Sequence, residues 1–188
     1  MLIETSNNKP IYVYDDLFDY ATRLHFYNFI INSVFAIKGS DLPFKKDKQF
    51  FSIYNDDELN LFGFKNTKAY AHLNEVHNLE SAVLKMVRVN LSTNSEHNVP
   101  HCDHIAPVYN PMVGITLIYY ANLQWDISWG GQTLFLNEKL DEVVFCSLFK
   151  PGRVIIFDNT IPHMILTPTI HAVEHRFSFV MQFENIPN

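Results

Sequence analysis

In PHCDHIAP, residues 100 to 107, two histidines, a thiol and a carboxylate fill four consecutive positions. On an extended strand alternate side chains share a face, so His101 and Asp103 can reach one ion while Cys102 points away. An ion chelated by one imidazole and one carboxylate needs a third ligand from elsewhere. His163, in FDNTIPHMILTP, opens a late β-like run and is the candidate. Three protein ligands on one triangular face leave coordination positions open, which suits catalysis rather than a structural role. Taken alone, His-x-Asp is a weak signal, because turns and solvent-facing patches also contain it, and a strand-end histidine is commonly just hydrogen-bonded.

Downstream, in EHRFSFVMQF, Arg176 and Ser178 are again two apart, with Phe177 and Phe179 on the opposite face. An arginine turned into an apolar interior needs an anion, since an unpaired buried guanidinium is very costly. A dicarboxylate bound to the metal by one end meets that need. Its other end would be held by the planar fork of Arg176 and the Ser178 hydroxyl. Two histidines and one carboxylate with open positions is the donor set associated with non-haem Fe(II).

The elements that must position these groups can be read along the chain. Its 188 residues, 47% hydrophobic, suffice for one continuous core, and no repeat or linker divides them, so a single domain spanning 1–188 is expected. Sixteen Phe, nine Tyr and two Trp favour β-rich architectures over helical bundles. A strand is expected over Ile11 to Tyr14, a helix from about Asp16 to Ser33, and a second helix near Thr67 to His77. From Leu84 the pattern turns to short β-like runs: KMVRVNL, MVGITLIYYA, QTLFL, EVVFCSLF, RVIIFD, HMILTP and RFSFVMQF. Helices followed by seven or eight strands imply an α+β protein, mainly β. The helices would buttress one face of a two-sheet barrel or jelly roll whose core covers about residues 84–184.

The net charge of -6 disfavours nucleic acid and anionic membrane surfaces as partners, and the basic run Lys45-Lys46-Asp47-Lys48 reads as a solvated loop. The first residues lack a signal-peptide pattern and no apolar stretch is long enough to span a membrane, so the expected location is cytoplasmic. Cys102 and Cys146 fit free thiols in a reducing compartment.

His101-Cys102-Asp103, then His163, then Arg176-Phe177-Ser178 together resemble the HxD...H...RxS signature of the 2-oxoglutarate and Fe(II)-dependent dioxygenases, in particular their prolyl 4-hydroxylase-like branch. WGGQTLF (129–135) is similar to that branch's GGET-F turn and strand, with Gln132 in the Glu position. KPGRVIIFD (150–158) and PHMILTP (162–168) resemble the segments around its second ligand histidine. The resemblance covers roughly Leu84 to Phe183. It departs in having Arg176 where prolyl 4-hydroxylases proper have Lys, and in the extra length of TIHAVEH before that arginine.

The resemblance implies a double-stranded β-helix of the cupin type buttressed by N-terminal helices, with Fe(II) held by His101, Asp103 and His163. It implies 2-oxoglutarate and O2 as cosubstrates, admits ascorbate, and implies oxidative decarboxylation to succinate coupled to hydroxylation of an aliphatic C–H. The implied cosubstrate contacts are Arg176 and Ser178, with Tyr119 of the Tyr119-Tyr120 pair and Asn90 (over Arg88) as further candidates. Asn159 would cap the turn before His163, and His104 would stay outside the ligand set. Trp125 and Trp129 either form a substrate platform or pin their loop. The leading function is hydroxylation of a prolyl residue in a peptide or protein. A small-molecule hydroxylase acting on a free amino acid and a non-catalytic cupin-like binding module are the alternatives. The sequence does not fix the oligomeric state.

Overall fold

Strand β6, Gly114–Tyr120, is buried along nearly its whole length, and so is β11, Arg176–Glu184. Both lie at the centre of a large sheet covered on each face, so their apolar runs are continuous instead of alternating. A computed structural model describes residues 2–4, 9–39, 48–95, 98–103 and 114–184. His104, the Asn110-Pro111 turn and residues 45–47 of the basic run lie outside the described residues.

The remaining strands of the large sheet are β1 (Leu2–Glu4), β2 (Pro10–Tyr14), β3 (Ala36–Gly39), β4 (Lys48–Ile53), β5 (Val83–Ser92) and β9 (Val154–Asp158). The order is β1-β2-β9-β6-β11-β5-β4-β3, with antiparallel neighbours throughout. A second, three-stranded sheet runs β10-β7-β8, from β7 (Thr133–Leu136), β8 (Val143–Ser147) and β10 (His163–Ile165).

Three helices pack on one face of the large sheet. α1 spans Tyr20–Ile31 and is shorter than the expected 16–33. Asp16 sits at φ 59, which ends any helical path there, and Asp19 caps the helix by accepting from Thr22 N at 2.7 Å. α3, Lys68–His77, falls where a second helix is expected, and Thr67 caps it. α2, Asp56–Phe62, was not anticipated, although its reciprocal Asn55/Glu58 capping box and the left-handed Gly63 after it are both visible in NDDELNLFG. Phe26, Phe62, Phe64 and Tyr70 from these helices and the turn after α2 meet Val87, Val89, Leu117, Phe179 and Met181 of the sheet in one buried cluster. Phe179 is gripped by Phe62 and Phe64 at centroid distances of 4.7 and 5.0 Å.

On the opposite face Ile11, Val13, Ile118, Tyr120, Ile155, Phe157 and Val180 form a second cluster with Phe135 of the small sheet. Phe135 meets Phe157 edge-on at 4.9 Å. The functional side chains lie between these two sheets.

Candidate metal centre and anion anchor

Two backbone hydrogen bonds join His101 to His163: His101 N donates to His163 O at 3.0 Å and His163 N donates to His101 O at 2.9 Å. In a directly opposed antiparallel pair the side chains project to the same side, and the two imidazole centroids are 4.5 Å apart. The sequence predicts His101 and Asp103 on a regular strand. Only an isolated bridge at His101 forms, and Asp103 follows in a bend. The outcome for the side chains is unchanged. His101 Nε2 lies 4.0 Å from Asp103 Oδ1, and His163 Nε2 lies 3.7 Å from Asp103 Oδ2. One ligand atom from each of the three residues falls within 4.8 Å of the others.

The tautomers suit metal binding. Nδ1 of each histidine is 3.1 Å from the carbonyl two residues earlier, Val99 for His101 and Ile161 for His163. With Nδ1–H donating there, each Nε2 lone pair faces the cluster. Burial is the main reason the His163 pKa is lowered, Asp103 opposing it, which favours the neutral imidazole a metal requires. The Thr116 hydroxyl donates to Asp103 Oδ2 at 2.6 Å and fixes that carboxylate. Cys102 turns aside, its thiol directed to Thr160 O at 3.2 Å. The site opens on the His101 side, whose side chain is 38% exposed against 3% for His163.

Register places the anion anchor on the same inter-sheet face. Asn90, Ser178 and Tyr120 lie side by side across β5, β11 and β6, and Arg176 is one pleat further along β11. Arg176 is fully buried, with Nε donating to Gly131 O at 2.9 Å, Nη1 to Ser178 Oγ at 3.2 Å and Nη2 to Thr133 Oγ1 at 3.4 Å. Its guanidinium carbon lies 5.2 Å from the Tyr120 ring centroid and 4.8 Å from that of Phe149.

Tyr119 is a correction. Alternation turns its ring to the helix side, where it packs on Phe18 and Phe26 at 5.4 and 5.7 Å, away from both ligands and anchor. Arg23 lies close to its hydroxyl without hydrogen-bond geometry. Tyr120 faces the inter-sheet space instead, and its hydroxyl donates to Thr133 Oγ1 at 2.8 Å. Asn90 is on the inter-sheet face, in register with Ser178. Asn159 does not cap the ligand turn. Asp158 does, accepting from Thr160 N at 2.9 Å, while Asn159 packs against Gly114. Trp125 pins its loop, donating to Gly130 O at 3.0 Å and resting on Phe149 at 4.6 Å. Thr116 and Thr133 were missed; inward-facing hydroxyls at alternate positions of an apolar strand were the available signal.

Compared by sequence alone, the chain matches no family model and no curated protein. Solved structures do match in fold. A prolyl hydroxylase from Trichoplax adhaerens, in complex with a hypoxia inducible factor oxygen degradation domain peptide fragment, superposes with TM-score 0.66 at 12% identity, covering 93% of this chain and 83% of that one. The 2-oxoglutarate complex of a viral collagen prolyl hydroxylase from Paramecium Bursaria Chlorella virus-1 gives TM-score 0.66 at 15% identity, with coverages of 94% and 96%. A 2OG-Fe(II) oxygenase family oxidoreductase from Burkholderia pseudomallei gives TM-score 0.67 at 10% identity, with coverages of 95% and 86%. The mainly β fold with its few helices is the fold of these proteins.

Proposed function

We propose that this protein is an Fe(II)- and 2-oxoglutarate-dependent dioxygenase that hydroxylates an aliphatic carbon, with a prolyl residue of a peptide or protein as substrate. The two sheets are then the walls of a double-stranded β-helix, and His101, Asp103 and His163 hold the iron. The observation carrying the proposal is the shared face: three metal-ligand atoms within 4.8 Å of one another, and the buried Arg176 fork further along the same inter-sheet surface. Tyr120 and Thr116 lie four residues apart on that face of β6, about 13 Å at the usual strand rise. A short dicarboxylate held by the metal at one end and by Arg176 at the other would lie along that span.

Iron with 2-oxoglutarate and dioxygen supplies an oxidant able to place oxygen on an unactivated C–H bond. The chain's own residues do the rest. Arg176, Ser178, Thr133 and Tyr120 hold the distal carboxylate through charge-assisted hydrogen bonds. Thr116 keeps Asp103 turned to the metal, and the apolar side chains of Ile118, Phe135, Phe157 and Val180 exclude water around it. Support for a peptide substrate comes from the Trichoplax neighbour, whose structure contains one. A cytoplasmic site of action is part of the proposal, supported by the free thiols of Cys102 and Cys146.

The test is turnover with a panel of proline-containing peptides, following succinate formation and the mass of each peptide. Succinate released in step with the gain of one oxygen on proline supports the proposal. Succinate coupled to a free amino acid and to no peptide moves the substrate to a small molecule, and none with any substrate removes the catalytic reading.

A further inference from the structure

Arg88, the less favoured of the sequence candidates Asn90 and Arg88, is a second cation on the inter-sheet face, and the proposed function assigns it no role. It lies opposite Val180 on β11, which in turn lies opposite Ile118 on β6. Ile118 is two residues from Thr116, whose hydroxyl holds Asp103, so Arg88 belongs to the metal end of the face and Arg176 to the other. Its Nε is removed from solvent and has no hydrogen-bond partner among the described residues. Burial works against its charge, and among the described residues Asp103 is the group that favours it. Arg88 as a whole is partly exposed, but its buried Nε–H stays unsatisfied until an acceptor reaches it, and Asp103 is already turned to the two histidines and Thr116.

We propose that Arg88 receives a carboxylate at the metal end of the inter-sheet space, making the site a two-cation cradle with one arginine for each end of its occupants. This rests on the dioxygenase reading above. Two carboxylates meet the requirement: that of the 2-oxo acid next to its keto group, and a carboxylate on the substrate itself. β5 also borders β4, where Ile53 opposite Arg88 is 59% exposed, so a substrate approaching over that edge would pass Arg88.

The experiment is calorimetric binding to the Mn(II)-loaded full chain, comparing wild type with Arg88→Lys and Arg88→Met after circular dichroism has shown that both variants are folded. 2-Oxoglutarate and pyruvate probe the keto-acid carboxylate, since pyruvate has no distal one. N-acetylproline and N-acetylprolinamide, added to the Mn(II) and 2-oxoglutarate complex, probe a substrate carboxylate. Loss of affinity for both keto acids by about tenfold or more in Arg88→Met, partly restored in Arg88→Lys, supports the proposal and assigns the keto-acid end. Unchanged keto-acid binding with loss of a wild-type preference for N-acetylproline over its amide supports it and assigns the substrate. Ligand affinities equal to wild type throughout, with or without a change in Mn(II) affinity, overturn it and leave Arg88 as a charge partner of Asp103. Wild-type protein that binds Mn(II) but no 2-oxoglutarate removes the dioxygenase reading as well, so the two failures are distinct.

Discussion

His101 and His163, 62 residues apart in sequence, exchange both of their backbone hydrogen bonds, at 3.0 and 2.9 Å, although His101 belongs to no strand. The imidazoles are therefore held side by side by the main chain, and Asp103 needs only a bend to join them. An ion bound there ties the segment carrying His101 and Asp103 to β10.

Metal affinity should follow the ligand set. His163→Ala and Asp103→Ala are each expected to reduce Fe(II) or Mn(II) affinity at least a hundredfold. Thr116→Val, which frees the carboxylate, should cost roughly tenfold. Competition against a chromophoric chelator measures all three. Affinities unchanged from wild type would remove this cluster as the metal site.

Tyr120 and Tyr119 should separate cleanly. Tyr120→Phe removes a hydroxyl beside the Arg176 fork and is expected to weaken 2-oxoglutarate binding about tenfold. Tyr119→Phe should leave that affinity unchanged and cost little stability, because the buried Tyr119 hydroxyl has Arg23 nearby but no hydrogen-bond partner among the described residues. Isothermal titration and thermal unfolding of the two variants check both statements.

Gly131 should not tolerate a side chain. It sits at φ +78, and an added Cβ would lie 3.2 Å from Arg176 Cδ and 3.3 Å from the Trp125 ring. Gly131→Ala is expected to destabilise by about 1–2 kcal/mol from backbone strain and to weaken 2-oxoglutarate binding by pressing on the arginine. Denaturant unfolding and ligand titration read the two effects separately.

His77 should make stability depend on pH. Burial lowers its pKa to about 4, and its Nε2 lies 2.7 Å from the Tyr14 hydroxyl. The unfolded chain therefore takes up a proton near pH 6.5 that the folded chain refuses until near pH 4. The stabilisation is complete above pH 6.5 and declines as the pH falls through that window. His77→Gln, which keeps a polar partner for Tyr14 but does not titrate, should flatten part of the slope in metal-free protein. Urea midpoints measured from pH 4 to pH 7 test this.

Much of the site is legible in sequence because it depends on residue type and on period-two parity. Parity correctly put Arg176 and Ser178 together, opposite Phe177 and Phe179. For Tyr119 and Tyr120 parity alone does not decide, because both faces of β6 are apolar and nothing in ITLIYYAN marks which one meets the helices. Strand β4 is not legible because its inner partner is non-local, β5 more than thirty residues later, and the edge strand β3 pairs only with β4. Thr116 and Arg88 take their meaning only from register across β6, β11 and β5.

The central claim is that one face between the sheets holds both a metal and a dicarboxylate. The most direct measurement is anaerobic titration of the protein with Fe(II) and then 2-oxoglutarate, following the visible charge-transfer absorbance in wild type, His163→Ala and Arg176→Ala. The account predicts a band in wild type, its loss without His163, and a higher 2-oxoglutarate requirement without Arg176. Folded wild-type protein that gives no band, or a band indifferent to His163, would contradict it.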